Sequence, residues 1–266
     1  MRAVNKSWCV LVASLLWVVI PGPVLAACGE TGVWLQILGS GGPGQASGRA
    51  SAGYLVWIDG ESRILVDAGG GIKKTFHEAG GNLADVRLLA LSHLHPDHSA
   101  ELPALLWPSG ATARVAGPSG SALFPSLDDW LDGVFGPAGV FRVLAGRLQL
   151  DPFTVDVTAP EPTEVWRDGD VRVRGIGVPH ADVPAVGYRV DVGDASVAFS
   201  SDQNGSDPAF IEFARDVDVL VVHLGRGEDG GGRVADLHAR PQRVGSYDHR
   251  RRRGPSRHQP HFHLIN

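Results

Sequence analysis

The chain of 266 residues has only two cysteines, Cys9 and Cys28, which excludes a disulfide-rich scaffold and a four-cysteine zinc site. It also has no excess of charge, since 20% of its residues are charged and 43% are hydrophobic, and this balance excludes wholesale disorder. Glycine and proline are instead abundant, with 35 and 18 residues, and favour many short strands joined by tight turns over a helical bundle.

Basic residues are scarce in the body of the chain. Residues 29–238 hold 15 basic and 28 acidic side chains, a net charge of −13, whereas the whole chain carries −5. The difference arises mainly because seven arginines and one acidic residue follow Ala239. A body this acidic repels polyanions, so we do not expect nucleic acid among its ligands.

Residues 1–28 have the three-part layout of an export signal. Arg2 and Lys6 precede an apolar run of 13 residues, 8–20, which is too short to remain as a membrane-spanning helix. The Leu-Ala-Ala-Cys sequence that ends at Cys28 resembles the lipobox of bacterial lipoproteins, in which the cysteine is lipidated; cleavage by ordinary signal peptidase is the alternative. Both routes predict an exported, periplasmic protein, and lipidation of Cys28 predicts a membrane anchor.

Strand-like and helix-like stretches follow one another in a definite order between residues 29 and 245. Runs rich in β-branched and aromatic residues come first, then a helical middle, then a second series of strands and helices. That order predicts an α/β domain of two halves packed sheet on sheet. Beyond Gly245 no apolar periodicity remains, so we predict a disordered tail, rich in arginine and histidine, over residues 246–266.

Four residues that commonly bind metals, His93, His95, Asp97 and His98, lie between an apolar strand and a predicted helix. His93 and His95 are two residues apart in extended chain and therefore point to the same side, where they can bind one ion. Asp97 and His98 lie at the start of the helix and can face a second ion. Without metal, this cluster would bury several unpaired polar groups, which is costly, so the pattern predicts a metal centre.

This His-x-His-x-Asp-His pattern resembles the signature of the metallo-β-lactamase superfamily, and the similarity runs from about residue 33 to residue 238. Six further segments agree in order: 38–42, 65–69, 179–180, 185–189, 199–202 and 218–221. Together they are most similar to the ribonuclease Z and arylsulfatase branch. The resemblance implies an αββα sandwich, in which two sheets lie between two layers of helices.

The resemblance also implies the residues of the active site. Two Zn²⁺ ions would be held by His93, His95 and His180 on one side, by Asp97 and His98 on the other, and by Asp202 between them. Asp67 would support the ligand loop without touching metal. His238 resembles an accessory histidine that stabilises negative charge or supplies a proton. His223 lies in an apolar strand run, and we assign it a structural role.

The chemistry implied by the resemblance is attack by a zinc-activated hydroxide, with Asp97 and His238 as catalytic residues. We expect a phosphodiester or similar ester-like small molecule as substrate, while lactone, aryl sulfate or β-lactam hydrolysis by the same fold stays open. The other expected partners are the membrane, through a lipid on Cys28, and a second copy of the chain in a homodimer.

The C-terminal part departs from the family pattern. The family expects one more histidine, at the end of a final apolar strand, to complete the second metal site, and no such strand follows His238. We therefore expect a sandwich that lacks its last strand. A reading-frame change near residues 242–245 would explain a tail that does not belong to this fold. Two alternatives stay open: a metal-binding lipoprotein with impaired catalysis, and a basic tail that binds lipid headgroups or nucleic acid.

Overall fold

The computed structural model describes residues 31–43, 48–108 and 110–224, His238, and the backbone of residues 263–265. The predicted export signal, Cys28 and most of the predicted tail lie outside the described residues. In the part of the chain that is described, no helix is both long enough and apolar enough to span a bilayer.

The first sheet has seven strands in the order β12-β1-β2-β3-β4-β5-β6. Strands β1 to β3 form an antiparallel meander, and β3 to β6 run parallel. The strands are β1 (Val33–Gly39), β2 (Gly53–Ile58), β3 (Glu61–Val66), β4 (Leu88–Ala90), β5 (Thr112–Pro118), β6 (Gln149–Val155) and β12 (His263–Ile265).

The second sheet has five strands in the order β11-β10-β9-β8-β7. Its pairs are antiparallel except for β10 and β11, which run parallel. The strands are β7 (Thr163–Asp168), β8 (Val171–Val178), β9 (Ala185–Val192), β10 (Ala195–Phe199) and β11 (Val219–Val221).

Helices cover the outer faces of both sheets. Helices α1, α3 and α4 pack on the first sheet, α5 packs on the second, and α2 carries part of the histidine-rich motif. The helices are α1 (Ile72–Glu78), α2 (Pro96–Ser99), α3 (Leu102–Leu106), α4 (Leu127–Phe135) and α5 (Pro208–Phe213), with a short 3₁₀ turn at Arg142–Leu144.

Strand β2 shows why the residues arrange themselves in four layers. Its alternate side chains point to opposite faces. Tyr54 and Val56 enter the core between the two sheets, whereas Leu55 and Trp57 enter the core beneath the helices. All four are buried, so this strand is apolar on both faces, as expected for a sheet covered on both sides. The predicted αββα sandwich is confirmed.

The C-terminal residues His263–Ile265 differ from the expectation of a disordered tail. They form β12, which pairs in parallel with β1 and aligns Trp34 with His263. The physical reason is that β1 would otherwise expose backbone donors and acceptors, which an extended segment can satisfy through its main chain alone. Among the described residues, the second sheet has no strand beyond β11, and the missing last strand stays a prediction.

Candidate metal centre

Five residues of the candidate site follow strand ends within three positions: Asp67 after β3, His93 after β4, His180 after β8, Asp202 after β10 and His223 after β11. Strands β3 and β4 are parallel, as are β10 and β11, and β8 runs in the same direction as β10 because both are antiparallel to β9. The ends of these strands therefore meet along one edge of each sheet. Since the sheets pack face to face, the two edges bring the five side chains together.

Strand β9 fastens the second sheet to the histidine-rich motif. The hydroxyl of Tyr188 donates a hydrogen bond to the Leu91 carbonyl oxygen at 3.0 Å, and the Val186 N–H donates to the Ser92 carbonyl oxygen at 2.8 Å. Both bonds join β9 to the residues directly before His93. Because such bonds are made in a buried, close-packed region, they hold the motif at a set distance from the opposite sheet.

The first cluster consists of His93, His95 and His180, whose ligand nitrogens all lie within 4.8 Å of one another. The Nε2 atom of His93 is 3.0 Å from the Nδ1 atom of His95. A tetrahedral zinc ion with Zn–N bonds of about 2.0–2.1 Å separates its ligand atoms by about 3.3 Å. His93 and His180 are buried and His95 is half-buried, so the structure brings together the three residues predicted to bind the first ion.

The second cluster is formed by His98, Asp97 and Asp202. The Nε2 atom of His98 lies 3.7 Å from Asp97 Oδ2 and 3.6 Å from Asp202 Oδ1. The other oxygen of Asp202, Oδ2, faces the first cluster and lies 4.0 Å from the Nε2 atom of His180. One carboxylate thus has an oxygen directed toward each cluster, which is the position predicted for the bridging ligand.

Asp67 supports the motif from beneath and makes three polar contacts with it. It accepts hydrogen bonds from the Ser92 N–H at 2.7 Å and the Ser92 hydroxyl at 2.9 Å. Its Oδ2 atom is also 2.8 Å from the Nδ1 atom of His98. A carboxylate on one ring nitrogen fixes the orientation of the imidazole, so Nε2 of His98 is left facing the second cluster. The structure therefore places Asp67 beside the predicted ligands.

The electrostatics favour metal binding by His93 and Asp202. Burial and the neighbouring histidines hold the pKa of His93 well below its ordinary value of 6.5, so the ring is neutral, the form that binds a metal. Burial alone would raise the pKa of Asp202, but hydrogen bonds from His223 and His98 hold the pKa of this carboxyl far below its usual range. Asp202 is therefore an anion although it is buried.

Whereas the pKa of His93 is lowered, that of His98 is raised. Burial lowers its pKa, but the carboxylates of Asp67 and Asp202 outweigh burial and raise the pKa to about 10. The ring is then a cation between two carboxylates. A metal ion that binds its Nε2 atom must displace a proton, which couples metal binding to proton release.

His238 also reaches the site. Its Nδ1 atom lies 3.5 Å from Asp202 Oδ2, on the side of the first cluster, and its ring centroid is 5.6 Å from that of His180. The side chain is 16% exposed, whereas that of His180 is 1% exposed. His238 is therefore placed beside the predicted ligands but nearer to solvent.

His223, expected from the sequence to have a structural role, lies against Asp202. Its Nδ1 atom is 3.2 Å from Asp202 Oδ1, and its ring centroid is 5.4 Å from that of His98. A signal was present, because His223 ends a strand that follows Asp202 along the chain. The parallel pairing of β10 and β11 brings the two strand ends together, and the local sequence does not predict this pairing.

The donor set fits zinc. Imidazole nitrogens and carboxylate oxygens are the ligands that zinc takes at catalytic sites. Buried nitrogens are also left over, because His223 Nε2 and His238 Nδ1 make no hydrogen bond with any described residue. Buried polar atoms are normally paired, so unpaired nitrogens in two rings whose Nδ1 atoms lie 3.2 Å and 3.5 Å from Asp202 are consistent with a site for a cation.

The glycine at position 69 controls how closely the motif approaches β3. A Cβ atom there would collide with the Asp97 carbonyl oxygen, which accepts a hydrogen bond from the Ala52 N–H at 3.1 Å. We expect Gly69→Ala to displace the ligand loop, to reduce bound zinc, and to lower the free energy of unfolding by about 1–3 kcal/mol. Metal analysis and thermal unfolding measure both effects.

Gly70→Ala is the matched control, because a Cβ atom there would meet only the Ser51 hydroxyl, at 3.8 Å. That variant should keep the zinc content and stability of the wild type. Equal behaviour of the two variants would contradict this account of the close contact between Gly69 and Asp97.

The chain is similar to proteins of one superfamily. Residues 62–246 match the family model described as the β-lactamase superfamily domain. Ribonuclease Z of Mycobacterium sp. strain KMS is 33% identical over 184 residues, which are 63% of this chain and 60% of that protein. The chain thus spans about three fifths of the length of this curated relative.

Solved structures share the fold. The short form of human tRNase Z superposes with a TM-score of 0.66 at 17% identity, covering 80% of this chain and 86% of that one. A diphosphatase of the PhnP family superposes with a TM-score of 0.57 at 18% identity, covering 81% and 80%. With the family model matched over most of the chain, the protein belongs to the metallo-β-lactamase superfamily.

Proposed function

We propose that the protein is a hydrolase with two zinc ions that cleaves a small phosphodiester or a similar ester-like molecule. The observation that carries the proposal is Asp202, whose two oxygens face the His93, His95 and His180 cluster on one side and His98 on the other. A pair of zinc ions held this way would supply an activated water and positive charge for the attacked centre.

The side chains have separate tasks in this proposal. The histidines and Asp97 hold the ions, and Asp67 keeps His98 turned toward them. His238, beside Asp202 Oδ2 and closer to solvent, is placed to donate a proton to the leaving oxygen. No serine or cysteine nucleophile is needed, because the attacking group is water.

The charge of the chain favours a small substrate. Ribonuclease Z is the name of the mycobacterial relative, so RNA must be tested as a substrate. However, residues 29–238 carry a net charge of −13, which disfavours the binding of a polyanion. A small phosphodiester has to approach only the metal centre, where the ions offset this repulsion.

The test is hydrolysis of a panel by the zinc-loaded full chain. The panel contains bis(p-nitrophenyl) phosphate, p-nitrophenyl sulfate, an aliphatic lactone and a precursor tRNA. We expect the highest kcat/KM on the phosphodiester. Preference for the sulfate, the lactone or the tRNA would overturn the proposed substrate class, and stoichiometric zinc without any hydrolysis would favour the impaired, metal-binding alternative.

A variant of His238 separates catalysis from metal binding. We expect His238→Ala to keep the zinc content of the wild type and to lower kcat by ~10²- to 10⁴-fold, the range for a lost proton donor. His77→Ala is the control, since His77 is an exposed histidine on α1, and it should change neither value. Loss of zinc in His238→Ala would show that His238 is a metal ligand.

We also propose that the protein is exported and anchored through a lipid on Cys28. Support comes from the basic start, the apolar run and the Leu-Ala-Ala-Cys sequence within residues 1–28. The wild type should fractionate with membranes, because several acyl chains anchor firmly, and Cys28→Ser should be released or remain unprocessed. Recovery of the wild type in the soluble periplasmic fraction would leave secretion without an anchor.

A further inference from the structure

We propose that His223 is a direct ligand of the second zinc ion, together with Asp97, His98 and Asp202. The inference rests on the proposed function, because it presupposes two ions. It assigns to this chain a ligand that the His-x-His-x-Asp-His motif does not contain.

The spacing of ligand atoms around His98 supports the assignment. Asp202 Oδ1 is 3.2 Å from His223 Nδ1 and 3.6 Å from His98 Nε2, which is itself 3.7 Å from Asp97 Oδ2. Ligands on one tetrahedral zinc ion are about 3.3 Å apart. His223 therefore lies at ligand spacing from the carboxylate oxygen that faces His98.

The position of His223 also indicates which of the two ions it would bind. A ligand nitrogen of His223 lies within 4.8 Å of both His98 and Asp67, whereas the first cluster is complete with His93, His95 and His180. His223 thus joins the second cluster, which has three predicted ligands among the other described residues. Placed there, it would raise the protein ligands of the second ion from three to four.

His223 is held rigidly enough to act as a ligand. Its backbone N–H donates to the Ser200 hydroxyl at 3.1 Å, and its ring stacks on Tyr54 with a centroid separation of 5.3 Å and an interplanar angle of 28°. The side chain is 8% exposed. Ligands whose orientation is set by packing bind metal with little loss of freedom.

Among the described residues, the polar partner of the His223 ring is the carboxylate of Asp202. The Nε2 atom is buried there without a hydrogen-bond partner, and the polar contact of Nδ1 is with Asp202. A histidine kept only for packing would be replaceable by an apolar side chain, which would avoid burying an unpaired nitrogen.

Zinc content gives the first test. The full wild-type chain and the His77→Ala control should each bind about two zinc ions, and His223→Ala about one. His223→Gln, which preserves polarity and volume, should also bind one, and thermal unfolding confirms that each variant is folded. Two ions in the folded His223 variants, bound as tightly as in the wild type, or a single ion in the wild type, would overturn the proposal.

A cysteine variant separates a direct ligand from a residue that only positions Asp202. With Co²⁺ in place of zinc, His223→Cys should show a thiolate-to-cobalt charge-transfer band, because a thiolate that binds the ion is coupled to it electronically. His77→Cys, with its exposed thiol, should show none. Two bound Co²⁺ ions without that band in His223→Cys would reduce His223 to a positioning residue and overturn the assignment.

These outcomes are distinguishable from failure of the proposed function. Two ions in the wild type and one in the His223 variants, without hydrolysis of any panel substrate, would retain the ligand and overturn the activity. Hydrolysis by a wild type that binds a single ion would overturn the ligand assignment and the two-ion site but retain the proposed reaction class.

Discussion

His93→Ala is expected to lose zinc from the first cluster and to reduce hydrolysis to the uncatalysed background. His93 is fully buried and central, with ring centroids 4.0 Å from His98, 4.7 Å from His95 and 4.9 Å from His180. Removing its ring leaves two of the three ligands proposed for the first ion and opens a cavity between the two clusters. An ion with two protein ligands is bound too weakly to persist through purification, because structural and catalytic zinc sites use at least three.

Metal analysis of the purified variant and initial rates on the phosphodiester measure this outcome. His77→Ala, which removes an exposed histidine, should be indistinguishable from the wild type in both. Hydrolysis at the wild-type rate by His93→Ala, with both ions still bound, would end the interpretation of this site as a metallohydrolase centre.

Asp67→Ala should have the second largest effect, although Asp67 is not placed as a ligand. The substitution leaves the Ser92 N–H, the Ser92 hydroxyl and the His98 Nδ1 atom without their shared acceptor inside the protein. Breaking a buried pair of this kind costs about 3–5 kcal/mol in the free energy of unfolding. His98 would also be free to turn its Nε2 atom away from Asp202, so the second ion should be lost before the first.

Denaturant unfolding and zinc titration measure the two effects separately. Asp67→Asn retains an oxygen and the volume of the side chain, so it should keep more stability than Asp67→Ala while it still loosens His98. Asp168→Ala, at an exposed end of β7, is the control for removing an acidic residue. Unchanged zinc affinity in both Asp67 variants would show that Ser92 and packing orient His98 without the carboxylate.

Much of the site was predictable, because the spacing of residues within the His-x-His-x-Asp-His motif determines that their side chains are neighbours. His93 and His95 alternate along one extended segment, and Asp97 and His98 begin the next helix, so the four residues are neighbours in any fold that has this strand and helix. The class of the fold followed in the same way from the order of apolar runs. The placement of His180 and Asp202 came from resemblance to a family, since neither position has a distinctive local signal.

His223 and β12 show what local spacing cannot supply. In the sequence, His223 was interpreted as part of an apolar strand. Its contact with Asp202 exists because β10 and β11 are parallel neighbours whose ends lie at one edge of the sheet. The pairing of His263–Ile265 with β1 uses backbone hydrogen bonds, for which side-chain patterns carry little information.

Resemblance to the family implied the αββα layers. The sequence by itself determined an α/β domain of two packed halves, the cluster of His93, His95, Asp97 and His98, and the acidic body of the chain. These depend on residue periodicity, on spacing within a few positions and on composition, all of which are local or additive. Only the tertiary structure decided that Asp202 presents an oxygen to each cluster and that His223 reaches the second one. Those contacts join residues far apart in the chain, and they depend on the strand order and on the packing of one sheet against the other.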